Sequence, residues 1–260
     1  MDTRAYLQRI HFQGELEPGA ELLSSLHHAN LLAVPFENLD IHLGRPIELD
    51  EQHLLEKIVA SRRGGFCYEL NGLFAWLLRE LGFQVDLLSA EVFEGGTFSP
   101  EFDHLALRVR MEDDWLADVG FGDSFIRPLK LTSGEEQVQR EKTYRLESDS
   151  DYWILTVRGN AGEWEPYYRF NLKPRALRDF QGRCRYHQIS PESQFTQKRV
   201  CTRLTEEGRL TLRDRRLIET RNGQRRETQI PHEVENLAAL EKYFGIRLPE
   251  EPKNGPAVGE

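Results

Sequence analysis

Apolar residues recur with a helical period along roughly the first third of the chain. Leu70, Leu73, Phe74, Leu77, Leu78 and Leu81 fall at i, i+3, i+4, i+7, i+8 and i+11, and Gly82 stands just past them. This is the most regular stripe in the sequence, and it predicts a helix buried along one face with a glycine stop. Earlier, Asp2 can cap a short helix carrying Tyr6, Leu7 and Ile10, and Leu22, Leu23, Leu26, Ala29 and Leu32 mark a second helix over 21–32. Pro35 ends that helix and pushes Val34 towards an extended conformation. Asp50 is placed to cap a further helix bearing Leu54, Leu55, Ile58 and Val59.

From about residue 83 the period changes to two. Val85 and Leu87, Val92, and the stretches 104–110, 115–119, 144–146 and 152–157 read as short strands separated by Gly, Asp and Ser. Such a series suggests a β-barrel or sandwich. Farther on, 200–204 and 209–212 form a hairpin pattern around Glu207-Gly208, and Asn222-Gly223 is a type I′ turn signal. A helix is expected over 233–244, with a frayed tail after Pro249. The sequence has no internal repeat. The expected fold is α+β and multi-domain: a helical unit over 1–85, a β unit over 86–190 and a mixed unit over 191–260.

A length of 260 residues fits more than one compact unit. The net charge of −9 makes the chain a poor non-specific binder of nucleic acid. Its three cysteines, Cys67, Cys184 and Cys201, are too few for a disulfide scaffold and read as reduced thiols in a cytoplasmic protein. The first residues are charged throughout, unlike a signal peptide, and no apolar run approaches the ~18 residues of a membrane span. No C-x-x-C or H-E-x-x-H spacing points to a metal.

Cys67 is the residue with the most chemical promise. It follows Gly64-Gly65-Phe66 and opens the long helix, three residues before Leu70 on the buried stripe. Its thiol therefore faces inward at a helix N-terminus. A free thiol of pKa ~8.5 needs a drop of about two units, roughly 2.7 kcal/mol, to ionise at neutral pH. A helix N-terminus supplies typically ~0.3–1 kcal/mol. A cationic partner such as an imidazolium has to provide the rest.

His104 is the best partner. In a hairpin pairing Arg110 with Asp114 and Ala106 with Asp118, Leu105, Leu107, Val109, Trp115, Ala117 and Val119 share one apolar face. His104, Ala106, Arg108, Leu116, Asp118 and Gly120 then share the other. Asp118 becomes a diagonal neighbour of His104, about 7–8 Å away between Cα atoms, and a one-residue slip would separate them. Nucleophile, base and orienting acid are the parts covalent acyl transfer requires. The residues alone leave other readings open. His104 and Asp118 could lie on a plain solvated strand face. Cys184, between Arg183 and Arg185 with His187 nearby, is a rival nucleophile, whereas Cys201 reads as core. His27, His28 and His53 are expected on helix surfaces.

Arg63-Gly64-Gly65-Phe66-Cys67-Tyr68-Glu69-Leu70-Asn71 resembles a signature of the arylamine N-acetyltransferase family. So do Val34-Pro35-Phe36-Glu37-Asn38-Leu39 before it, and Asp103-His104-Leu105, Asp118-Val119-Gly120-Phe121-Gly122 and Pro191-Glu192-Ser193-Gln194-Phe195 after it. The resemblance covers about residues 5–205 and is closer to bacterial members than to vertebrate ones. It implies an N-terminal helical bundle, a central β-barrel and a C-terminal α/β lid, with a papain-like Cys-His-Asp site where the first two meet. It implies a transferase of xenobiotic metabolism in which Cys67 takes an acetyl group from acetyl-CoA as a thioester and passes it, ping-pong, to an aromatic amine or hydrazine. His104 would be the base and Asp118 would hold its tautomer. Phe36, Phe121 and Phe195 would line the acceptor slot, and Gly120, Gly122 and Ser193 would lie beside the coenzyme A moiety. Arg63 and Glu37 would form a structural ion pair. The arginines at 213, 215, 216, 221, 225 and 226 could attract phosphates, though a solvated hairpin face is the favoured reading. An amide synthase, a thiol hydrolase or a non-catalytic binder remain the alternatives.

Overall fold

The computed structural model describes residues 2–159 and 162–248, so the tail after Pro249 lies outside the described residues. The Asp2 carboxylate accepts from the Arg4 and Ala5 amides and opens helix α1, Thr3–Arg9. Helix α2, Ala20–Ala33, ends where Val34 turns extended ahead of Pro35. A two-residue strand β1, Phe36–Glu37, and a one-turn helix α3, Leu39–His42, then interrupt a stretch expected to be helical. Asp50 caps α4, Glu51–Leu55, which runs on into a π-helical turn, Glu56–Ala60. The leucine stripe forms α5, Cys67–Glu80, and every residue from Cys67 to Leu78 is buried. The stripe accounts for only one face of this helix. The opposite face is covered as well, because α5 is the axis around which the other elements pack.

The strands expected from residue 83 are present, and they curl into a nearly closed barrel. They are β2 (Gln84–Glu94), β3 (Thr97–Phe98), β4 (His104–Arg110), β5 (Asp114–Ala117), β6 (Leu129–Lys130), β7 (Glu136–Gln139), β8 (Lys142–Asp149), β9 (Tyr152–Gly159) and β10 (Glu165–Phe170). The antiparallel order is β6-β5-β4-β2-β10-β9-β8-β7, with β3 added on β2. The β4–β5 register is the anticipated one, Arg110 opposite Asp114 and Leu107 opposite Ala117, where the ladder stops. Leu105, Leu107, Val109, Ala117 and Val119 pack on the helices, joined by the half-buried Trp115. Ala106 and Leu116, on the other face, join Leu88, Ala90, Tyr168 and Phe170 inside the barrel. Both faces are therefore buried, and the solvated-face reading of His104 and Asp118 fails.

Glutamine side chains close the barrel, in place of a backbone ladder between β6 and β7. Gln137 accepts from the Lys130 amide at 2.8 Å and donates to the Lys130 carbonyl at 2.9 Å. Gln139 accepts from the Ile126 and Arg127 amides and donates to the Arg127 carbonyl, each at 2.9 Å. Two residues apart, both side chains project from the same face of β7.

The strands end at Phe170, earlier than the boundary at 190 expected from the sequence. A 3-10 turn, Leu177–Phe180, and helix α6, Gln181–Ile189, follow, and their Phe180 and Cys184 sit in the helical core. Their spacing of four places both side chains on one helix face. A short helix α7, Gln194–Gln197, leads to β11 (Val200–Thr205), β12 (Gly208–Arg213), β13 (Arg216–Arg221) and β14 (Gln224–Gln229). These join β1 in a second antiparallel sheet ordered β1-β11-β12-β13-β14, so the N-terminal part of the chain supplies an edge strand to the C-terminal sheet. Thr205 pairs with Gly208, so the turn is Glu206-Glu207, one residue before the expected pair. Asn222 and Gly223, at φ 49° and 76°, form the type I′ turn. Helix α8, Glu233–Ala239, and a π-helical turn, Leu240–Phe244, cover this sheet with a third core of Leu212, Leu217, Leu240 and Phe244.

Replacing both Gln137 and Gln139 by alanine removes the hydrogen bonds of the seam while leaving every ladder intact. At about 0.5–1.5 kcal/mol net per bond for partly exposed groups, the thermal midpoint should fall by several degrees. Differential scanning calorimetry of the double variant measures the loss.

Candidate active site

Two elements bring the candidate residues together. Cys67 is the first residue of α5, and His104 is the first residue of β4. Gly120, two residues past Asp118, makes their approach close: a Cβ there would lie 2.8 Å from the Cys67 Cα and 2.7 Å from Asn71 Nδ2. Only glycine allows the barrel loop this near the helix.

The turn ahead of Cys67 is held by buried charge. Arg63 donates to Glu37 at 2.9 Å and to Asp40 at 3.0 Å, which places the expected Arg63–Glu37 pair inside a larger network. Lys57 bridges Asp40 at 2.8 Å and Glu69 at 2.7 Å. Glu69 also accepts from the Phe66 amide, just before the cysteine, at 3.1 Å.

His104 Nε2 and Asp118 Oδ2 are 2.7 Å apart. A carboxylate can only accept, so the imidazole proton sits on Nε2, and Nδ1 is the nitrogen left for another partner. Three more donors complete the carboxylate: Asn71 Nδ2 at 2.8 Å, the Gly120 amide at 2.9 Å and the Tyr168 hydroxyl at 3.1 Å. Burial alone would raise the Asp118 pKa, but His104, Asn71 and Gly120 outweigh it and hold the carboxyl below its ordinary value. Cys67 is in the opposite position. Burial pushes its thiol well above the ordinary value, and the Leu105 amide opposes this only in part. Ionising it in place therefore requires its proton to stay close by, on a group that the neighbouring carboxylate stabilises as a cation.

A cleft of about 490 Å³ opens onto both residues, lined by Cys67, His104, Phe36, Gly120, Phe121, Ser193 and Phe195 among others. Thus the cleft gathers seven of the nine site residues expected from the sequence, and Asp118 stands behind His104. Gly122 is the exception. It adopts φ +90°, with Phe36 and Thr202 beside it, and does not line the cleft. Phe121 meets the His104 ring edge-on at 5.2 Å, and Phe195 packs against Phe36 and Phe66 at 6.2 and 5.7 Å. Asn38 ties Phe195 down from across the chain by donating to its carbonyl at 2.9 Å.

This fold is shared with known proteins. The family model described as N-acetyltransferase matches residues 20–252. The arylamine N-acetyltransferase of Escherichia coli K12 is 35% identical, with 98% of this chain and 92% of that protein aligned. The chain belongs to the arylamine N-acetyltransferase family. The solved structure of the Salmonella typhimurium member superposes with a TM-score of 0.90 at 34% identity, covering 97% of this chain and 93% of that one. The Mycobacterium marinum member, solved in complex with CoA, gives 0.87 at 30% identity, covering 94% and 93%.

Cys184 is buried on α6 and takes a hydrogen bond from Gln188 at 3.3 Å, burial pushes its thiol up to about 12, and unlike Cys67 it does not line the cleft. Cys201 is core, as expected. The arginines at 213, 215, 216, 221, 225 and 226 are all exposed, consistent with a solvated face. Among the described residues no helix is long and apolar enough to cross a membrane.

Several residues at the site were not anticipated. Asn71 lies one helical turn beyond Cys67, and its amide inside an apolar stripe is a signal that could have found it. Tyr168 comes from β10, fifty residues from Asp118 in sequence, and carries no such signal. On the cleft wall His187 joins Asp103 and Ser193, each at 3.0 Å. Despite burial, His187, Ser99 and Arg183 hold Asp103 down to about 2. His27, expected on a surface, is fully buried, and burial pushes it from 6.5 down to about 4. Its place on the Leu23–His27–Asn30 face of α2 was visible in the spacing.

The shift in His27 has a sign that can be checked. The unfolded chain binds this proton near pH 6.5 and the folded one only near 4, so the contribution to stability is complete above 6.5. It is lost as pH falls towards 4, about 3 kcal/mol in all. Denaturant midpoints recorded from pH 7 to 4.5 should therefore drop more steeply for the wild type than for His27→Phe.

Proposed function

We propose that the chain moves an acetyl group from acetyl-CoA, the co-substrate of its family, to the nitrogen of an arylamine or arylhydrazine, through a thioester on Cys67. The observation that carries this reading is the arrangement of Cys67 and His104 on one aromatic cleft, with Asp118 fixing the Nε2–H tautomer. In the first half-reaction the Cys67 proton passes to His104 Nδ1, and the thiolate attacks the thioester carbonyl. Coenzyme A leaves as its thiol, taking the proton back from His104. In the second, the unprotonated amine attacks the acetyl-Cys67 carbonyl and yields its proton to His104. Cys67 departs and recovers that proton. Asp118 stabilises the imidazolium in both halves, in a site whose apolar walls strengthen that interaction.

The cleft suits the acceptor. Phe36, Phe121 and Phe195 offer ring faces and edges to a flat aryl group. The M. marinum relative was solved in complex with CoA, which supports a coenzyme A thioester as the acyl donor. The helical bundle, barrel and lid carry the nucleophile, the base with its acid, and the far wall in turn.

Mass spectrometry after mixing the protein with acetyl-CoA and no amine should show one added acetyl group, mapped to Cys67 and removed by an aryl hydrazine. Label on Cys184, or none at all, would contradict the mechanism. Alkylation of Cys67 should proceed well below the free-thiol pKa in the wild type and lose that low-pH reactivity in His104→Gln. Asp118→Asn, which disturbs the tautomer, should cost roughly 10²–10⁴-fold in turnover while leaving a folded protein.

A further inference from the structure

His27 is a buried titratable side chain that acetyl transfer does not use, yet it touches the catalytic loop. Its Nδ1 lies 3.1 Å from the Ile126 carbonyl, and its Nε2 lies 3.2 Å from the Asp118 amide and 3.1 Å from the Asp118 carbonyl. Phe125 stacks on the ring at 5.6 Å, and Phe74 meets its edge at 6.1 Å. With the ring so enclosed, a neutral imidazole has one proton to give. The Ile126 carbonyl can only accept, whereas Asp118 offers Nε2 an N–H as well as a carbonyl. One tautomer satisfies the ring and the amide together: Nδ1–H donates to Ile126, and Nε2 accepts from the Asp118 amide.

The Asp118 amide needs such a partner. The β4–β5 ladder ends at Leu107 opposite Ala117, so the next residue has left the strand pairing that would have held it. Beyond it lies a loop with glycines at 120 and 122. We propose that His27 is a positioning residue that takes the place of the missing strand. By accepting the Asp118 amide and donating to Ile126, it clamps both ends of the 118–126 loop to α2, and this aims the Asp118 carboxylate at His104. The inference rests on the triad reading above, since it assigns His27 a role through Asp118 and not on substrate.

Long-range proton–nitrogen NMR of the wild-type enzyme reads the His27 tautomer directly. The expected result is a protonated Nδ1 with a bare Nε2; a protonated Nε2 overturns the proposal. Variants add the functional readout. His27→Phe fills the space but makes neither hydrogen bond, while His27→Gln places a carbonyl oxygen near Nε2. His27→Phe should slow Cys67 acetylation on the order of tenfold or more with the acetyl-CoA KM unchanged, and move the Cys67 alkylation profile to higher pH. His27→Gln should recover most of both. A folded His27→Phe with a wild-type alkylation profile, or equal losses in the two variants, also overturns it. If His27→Phe does not fold, the wild-type NMR and the His27→Gln profile decide. Failure of the triad reading itself would appear separately, as a His104→Gln profile identical to wild type.

Discussion

A single buried carboxylate organises this molecule. Asp118 is 1% exposed and accepts from His104, Asn71, Tyr168 and the Gly120 amide. Those donors come from β4, α5, β10 and the loop that follows β5. A charge buried this deeply is costly unless every lone pair is engaged, so the four donors must arrive together. That requirement fixes the barrel against the helical bundle. Asn71 shows the coupling most directly: its amide nitrogen reaches both the Asp118 carboxylate and the Leu105 carbonyl, and its oxygen takes the Val119 amide. One side chain of the central helix thus substitutes for strand pairing where β4 and β5 part.

The cleft lies between the helical core and the barrel core. The helical core supplies Cys67 and supports Phe36 and Phe195; the barrel core supports Phe121; and the C-terminal sheet is stitched to Phe36 through β1. No single unit owns the site. Its walls are aromatic because rings fill such a junction with few rotatable bonds, keeping the cleft open at low entropic cost. The polar group Asp103, His187 and Arg183 holds α6 against the start of β4, next to the base.

What the sequence revealed and what it concealed divide along physical lines. Features governed by local periodicity were readable: the α5 stripe, the caps Asp2 and Asp50, the Asn222-Gly223 turn and the β4–β5 register. The register mattered most, because apolar residues on one face allowed a single pairing, and that pairing set Asp118 beside His104. Contacts between residues far apart were not readable. His27 meets Asp118 across 91 positions and Tyr168 meets it across 50, and neither spacing leaves a local trace. Phe180 and Cys184 follow helical spacing, but nothing in their neighbourhood says they pack under the bundle and not inside the barrel. Gly122 matched the family pattern by position, and it is not among the residues that line the cleft.

The seam at Gln137 and Gln139 differs in kind from the rest of the barrel. Elsewhere the distance between neighbouring strands is set by backbone geometry at about 4.8 Å. At the seam it is set by the reach of two flexible amide side chains. The barrel's circumference is therefore adjustable at this seam, where a longer or shorter side chain would widen or tighten the cylinder without shifting any register. Variation in girth among descendants of this chain has a ready-made hinge line where β7 meets β6 and the segment before it.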